Sequence, residues 1–160
     1  SLIKTRENSW KIKDVIVRMI RILYYASLDY VHRFSSFVKQ INRKSTEKIV
    51  NIESPNSVSL MSNLREDPTY DMVLIHLQSS EIEEMKVSIS SERGLVGVVE
   101  TCRNIYDGLI VAESRDYPAS KREILETFDD YIYPVESEIY LQRFVEFLKR
   151  YCLIPQDFEL

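Results

Sequence analysis

Glycine is nearly missing from this chain, with three residues in 160, Gly94, Gly97 and Gly108, where average usage would supply about 11. That scarcity limits what can be built. A sheet-rich domain of this length normally spends many glycines on tight turns. Helices instead lose stability at every glycine they carry. The composition therefore points to helices, punctuated by Pro55, Pro68, Pro118, Pro134 and Pro155.

The apolar pattern agrees with that reading at first. Ser9 can cap a helix running from Trp10 toward Arg43, with Ile12, Ile16, Met19, Leu23, Ala26, Tyr30, Phe34, Phe37 and Ile41 as its stripe. Such a helix would be about 50 Å long, against about 40 Å for the diameter of a compact globule of this size. It must break near Ser27-Leu28-Asp29 or Ser35-Ser36, or project from its domain.

Residues 44–67 form the loosest region, rich in Ser and Asn, with one short helix expected around Val58 to Leu64. Ser54-Pro55 could serve a proline-directed kinase, but plain loop explains it. The stretch 70–90 reads two ways. Val73–Leu77 followed by Met85–Ile89 could pair as a β-hairpin. Two short helices have more independent supports: Asp67-Pro68 as cap and first-turn proline, the one-sided set Tyr70, Val73, Leu74 and Leu77, and the capping box Ser80-Glu81-Ile82-Glu83.

Further on, Leu95, Val98, Val99, Cys102, Ile105, Tyr106, Leu109 and Ile110 predict a helix. Its small residues Gly97, Thr101, Asn104 and Gly108 form a second seam on which another backbone could pack. Ser120-Lys121-Arg122-Glu123 opens a helix with Ile124, Phe128 and Tyr131 inward. Pro134 opens the last, with Leu141, Phe144, Val145, Leu148, Tyr151 and Cys152 inward and Pro155 as its stop. The expected fold is all-α: one domain over residues 1–160, a bundle of about six helices with a long first helix. A β-hairpin at 70–90 is the main alternative.

No catalytic constellation is visible. His32 and His76 are far apart and lack a metal-type neighbour spacing. His76 reads as a half-buried packing residue and His32 as solvated. Gly94-Leu95-Val96-Gly97 matches a Gly-x-x-Gly nucleic-acid clamp only superficially. Glu81, Glu83, Glu84, Asp129 and Asp130 suit solvated faces better than paired acid–base work. No enzyme activity, metal or cofactor is expected.

Charge is divided along the chain. Residues 1–50 carry eleven Lys/Arg against four Asp/Glu, and residues 51–160 carry ten against twenty-one. Opposite the main stripe of the first helix lie Trp10, Val17, Tyr24 and Leu28, with Arg21 among them. Large aromatic and Arg side chains on a second face suit a partner surface. The expected function is a non-enzymatic protein–protein interaction or dimerisation module of a larger assembly, and a self-complementary face would give a homodimer. The competing reading is a nucleic-acid binder using the basic segment 4–48. Its charges lie all round the helix, and the whole chain is acidic, with a pI of about 5.3. No membrane-spanning segment is expected, because Arg18, Arg21 and Asp29 interrupt the most apolar stretch, and membrane-surface binding is not expected because the main apolar face is needed for the fold. Cys102 and Cys152, and the absence of an Asn-x-Ser/Thr acceptor, fit a reducing intracellular compartment, cytoplasm or nucleus.

Overall fold

The computed structural model describes residues 2–4, 9–12, 15–45, 48–53, 57–78, 95–115, 121–132 and 139–160. Seven strands and five helices are found among them: β1 (Leu2–Lys4), β2 (Ser9–Ile12), β3 (Val15–Tyr25), α1 (Leu28–Lys44), β4 (Lys48–Glu53), α2 (Ser57–Glu66), β5 (Met72–Leu77), α3 (Leu95–Ile105), β6 (Leu109–Ser114), α4 (Lys121–Thr127), β7 (Asp130–Ile132) and α5 (Tyr140–Arg150). From β3 onward, strand and helix alternate among the described residues. That alternation builds a parallel sheet, and its spatial order is β4-β3-β5-β6-β7. The all-α expectation is overturned, and with it the bundle of six helices.

The correction is largest in the first helix. Residues 15–25 are a strand, and only Leu28–Lys44 of the expected helix is helical. Val15, Ile16, Val17, Ile20 and Ile22 are β-branched, which favours a pleated backbone. β3 is central, and Ile20, Ile22, Leu23 and Tyr24 bury it on both faces, so its sequence is a nearly continuous apolar run rather than an alternating one. Such a run satisfies a period of 3.6 as readily as one of 2. The glycine argument also misled. Parallel strands are joined by helical crossovers instead of two-residue hairpins, so this fold needs few tight turns.

Two apolar layers flank the sheet. On one face Ile20, Ile22, Met72, Leu74, Val111 and Ile132 pack with Val31, Phe34, Val38 and Ile41 of α1 and Phe144, Val145 and Leu148 of α5. On the other, Leu23, Val73, Ile75, Leu77, Ile110 and Ala112 meet Leu60 and Leu64 of α2, Val99 and Cys102 of α3 and Ile124 of α4. Residues of one strand divide between the layers by parity, as the pleat requires.

The remaining expectations separate in the same way. Residues 72–77 are a buried strand paired in parallel with β3 and β6, not a helix. The second half of the alternative hairpin, the Ser80–Glu83 capping box, Ser54-Pro55, Ser120 and Pro134 lie outside the described residues. The helix at 95 ends at Ile105, so Leu109 and Ile110 belong to β6 and the small-residue seam is cut before Gly108. A Cβ at Gly108 would collide with the ring of Tyr106. That ring is fixed, because its hydroxyl donates to the Tyr70 carbonyl at 2.9 Å.

α5 ends in a Schellman turn. The amide of Cys152 donates to the Lys149 carbonyl at 2.9 Å and that of Leu153 to the Leu148 carbonyl at 2.8 Å. Cys152 occupies the left-handed position, φ 55°, and is exposed rather than on the inner face of the helix. No helix among the described residues is long and apolar enough to cross a membrane.

Candidate functional site at the carboxyl ends of the strands

In an open parallel sheet, ligands bind outside the carboxyl ends of the strands where the order reverses. Here α1 leads from β3 out to β4 on one side, while β5 lies on the other, so the crevice falls between the ends of β3 and β5. Four side chains meet there on the α1/α5 face. His76 of β5 and Glu113 of β6 are register partners, which places both on the same side of the sheet. The His76 Nδ1 lies 3.1 Å from Glu113 Oε1. The Tyr24 hydroxyl, from β3, donates to the same oxygen, and the Tyr140 hydroxyl, from the first turn of α5, donates to Oε2.

All of this is sealed. The side chains of His76 and Glu113 are 2% and 0% exposed. Tyr30 of α1 stacks on the His76 ring at 3.8 Å between centroids. The adjoining cleft, lined by Tyr24, Tyr30, Arg33, Phe34, Phe37 and Tyr140, has no room for a water molecule. Burial, reinforced by the Glu113 carboxylate, pushes the phenols of Tyr24 and Tyr140 far above the ordinary tyrosine value. Both therefore remain donors, which is the role their geometry needs. A buried carboxylate is tolerated when its lone pairs are used, and Glu113 uses them on three elements at once.

On the opposite face of the sheet, Ser114 and Tyr131 share a buried hydroxyl pair across β6 and β7. Among the described residues, no group of three or more His, Cys, Asp or Glu side chains could hold a metal ion. A more open cavity of about 240 Å³ lies at the β7 edge, lined by Tyr131, Ile132, Arg143, Glu146, Phe147 and Arg150. Arg150 is engaged there by Asp130 at 2.9 Å.

The five residues singled out as a partner face do not share one helix face, because they belong to β2, β3 and α1. Trp10 and Val17 are register partners in the β2–β3 ladder. Arg21 is largely buried and paired with Asp67 at 2.5 Å, with its guanidinium over the Tyr70 ring at 4.6 Å. Tyr24 is 1% exposed and committed to Glu113. Leu28, the first residue of α1, is 69% exposed. In a strand, Arg21 and Tyr24 point to opposite layers, so a helical face containing both does not exist. His32 is exposed, as expected, while His76 is fully rather than half-buried.

Glu113 was not singled out in the sequence. Its signal is a carboxylate directly after the apolar run Leu109–Ala112, and His76 inside Val73–Leu77 is its counterpart. Each alone reads as a local irregularity, and only the strand register joins them.

No protein-family model matches the chain, and no curated protein sequence matches it significantly. Solved structures do match in fold. A CheY-like response-regulator receiver domain from Methylobacillus flagellatus superimposes with a TM-score of 0.57 at 13% identity, over 81% of this chain and 98% of its own. A two-component response regulator from Clostridium difficile gives a TM-score of 0.57 at 16% identity, over 82% and 96%. The complex of the phosphorylated P1 domain of CheA3 with CheY6 from R. sphaeroides gives 0.51 at 14%, over 82% and 97%. At these identities the likeness is one of fold, a doubly wound α/β sheet with the strand order of receiver domains.

Proposed function

We propose that this chain is a non-enzymatic protein-interaction module built on a receiver-like fold, whose ligand crevice has been filled by its own side chains. The observation that carries the reading is the sealed Glu113 network. The groups with chemical potential at the switch point, His76 and Glu113, are buried and spent on Tyr24 and Tyr140. A general acid or base must reach the proton it moves, and among the described residues neither group is open to a substrate. With the usual ligand position closed, recognition falls to the outer surface and to another protein chain. The neighbour named as a complex of CheY6 with the phosphorylated P1 domain of CheA3 is itself a pair of proteins.

That neighbour's name makes phosphoryl transfer the activity to test. The chain would be incubated with Mg²⁺ and a small acyl phosphate and then weighed by intact-mass spectrometry. The expected result is an unchanged mass and an unchanged melting temperature. A stoichiometric phosphoryl adduct would overturn the proposal, because a sealed crevice offers no acceptor.

A further inference from the structure

The two helical layers differ in charge. On one face of the sheet, α1 and α5 together carry seven Lys/Arg against two Asp/Glu. On the other, α2, α3 and α4 together carry four against four. The whole chain has a net charge of −4, so the α1/α5 layer is a basic surface on an acidic protein.

Pairing sharpens the contrast. Arg103 is met by Asp129, Arg122 by Glu126 and Arg150 by Asp130. Lys39, Arg43 and Lys44 of α1 are exposed and make no ion pair among the described residues. Ser36, Lys39, Gln40 and Arg43 are all exposed and fall within about 100° of one another around the helix, so they form one polar stripe. Within it Lys39 and Arg43 are one turn apart, where like charges repel. Asp29, the acid of α1, lies ten residues before Lys39. That is about 15 Å along the axis, beyond the screening length of about 8 Å at physiological salt. The helix dipole favours cations in the last turn, which accounts for Arg43 and Lys44. It does not reach Lys39, and it gives no reason for a stripe without acids.

Charge indicates what covers this face. Exposed cations left without counter-charges on one stripe are complementary to carboxylates. Nucleic acid is the poorer match. A duplex presents a charge about every 1.7 Å and must approach a chain whose net charge is also negative, whereas a short acidic segment touches only the helix.

We propose that the solvent face of α1 docks an acidic segment of a partner protein through Lys39, Arg43 and Lys44, with carboxylates about 6 Å apart to match one helical turn. This inference rests on the interaction-module reading and names the chemistry of its partner. The probe is a peptide of alternating Glu and Ser, whose carboxylates lie about 6.6 Å apart when extended. It would be titrated into ¹⁵N-labelled protein at low and physiological salt and followed by amide chemical shifts, with a Gln/Ser peptide as the neutral control.

The expected result is a saturable shift of the amides around Lys39, Arg43 and Lys44, with a Kd of about 1 mM or tighter at low salt, weakened by salt and missing with the neutral peptide. Lys39→Glu/Arg43→Glu should weaken binding at least about tenfold while the spectrum keeps its folded dispersion. Arg122→Glu, on α4 of the opposite layer, should leave it unchanged. Absence of a saturable shift overturns the proposal, as do shifts confined to other elements or indifference to the α1 reversals. Tighter binding of duplex DNA at the same amides overturns it and assigns the stripe to a polyanion. Shifts at α1 that grow with protein concentration alone overturn it in favour of a second copy. None of these failures touches the sealed-crevice reading, which the acyl phosphate experiment tests separately.

Discussion

At the carboxyl ends of the parallel strands, Glu113 is fully buried and takes three side-chain donors from β3, β5 and α5. At the amino ends, Asp67, Asp71 and Asp129 are at least partly exposed and do local work. Asp71 accepts from the Arg21 amide at 2.8 Å, and the Arg21 carbonyl accepts from the Asp71 amide at 2.9 Å. Asp129 repeats the motif two strand pairs further on, with the Ile110 amide and carbonyl both at 2.8 Å. Asp67 binds Arg21 and Thr69. The comparison shows where polar groups matter energetically. Water can replace a lost partner at the amino ends and cannot at the carboxyl ends.

The largest contrast should come from Glu113→Ala. It strips three buried donors of their acceptor and is expected to destabilise by about 3–5 kcal/mol, read as the shift of a urea midpoint at constant slope. A loss below 1 kcal/mol would mean that the network is hydrated and the crevice open. Next come Tyr24→Phe and Tyr140→Phe, each removing one hydroxyl that donates to the carboxylate, at about 1.5–3 kcal/mol. Because both act on Glu113, the double variant should deviate from additivity. Strict additivity would count against a single coupled network.

A gain is expected at the end of α5. Cys152 holds a left-handed conformation that favours glycine, so Cys152→Gly should stabilise by about 1 kcal/mol. A lower melting temperature for that variant would show that the thiol makes a contact worth more than the relieved strain.

The smallest effect belongs to the amino ends. Burial alone would raise the Asp67 carboxyl, but hydrogen bonds from Thr69 and Arg21 outweigh it and hold the group at about 2, below its ordinary 3.8. Since the folded value is the lower one, this carboxylate stabilises above pH 3.8, and the contribution disappears as pH falls toward 2. Asp67→Asn should therefore cost under about 1 kcal/mol at neutral pH, given its exposure and solvent screening. Its stability curve should meet that of the parent near pH 2, and curves that stay parallel would remove Asp67 from the account.

Legibility of the sequence followed the local or nonlocal character of each element. α3, α4 and α5, and the later part of the expected first helix, were readable because surface helices alternate core and solvent at a fixed period, and the short helix expected around Val58 to Leu64 lies within α2. Phe34, Phe144 and Leu148 were correctly placed inward for that reason. β3 and β5 were misread as helical because strands buried on both faces have no polar beat to count. Tyr24 was taken for a surface anchor on a helical wheel that does not exist, and its commitment to Glu113, 89 residues away, is a product of strand order.

The sequence alone determined the positions of the helices at 95–105, 121–127 and 140–150 and the division of charge. Those features depend on neighbours within a few turns of chain. Tertiary structure decided that the chain is α/β, that His76 and Glu113 share a register row, and that Tyr30, Tyr24 and Tyr140 close over them. Parallel pairing joins residues separated by whole crossovers, so its register is set by how helices pack on both faces at once, a global condition that no local period records.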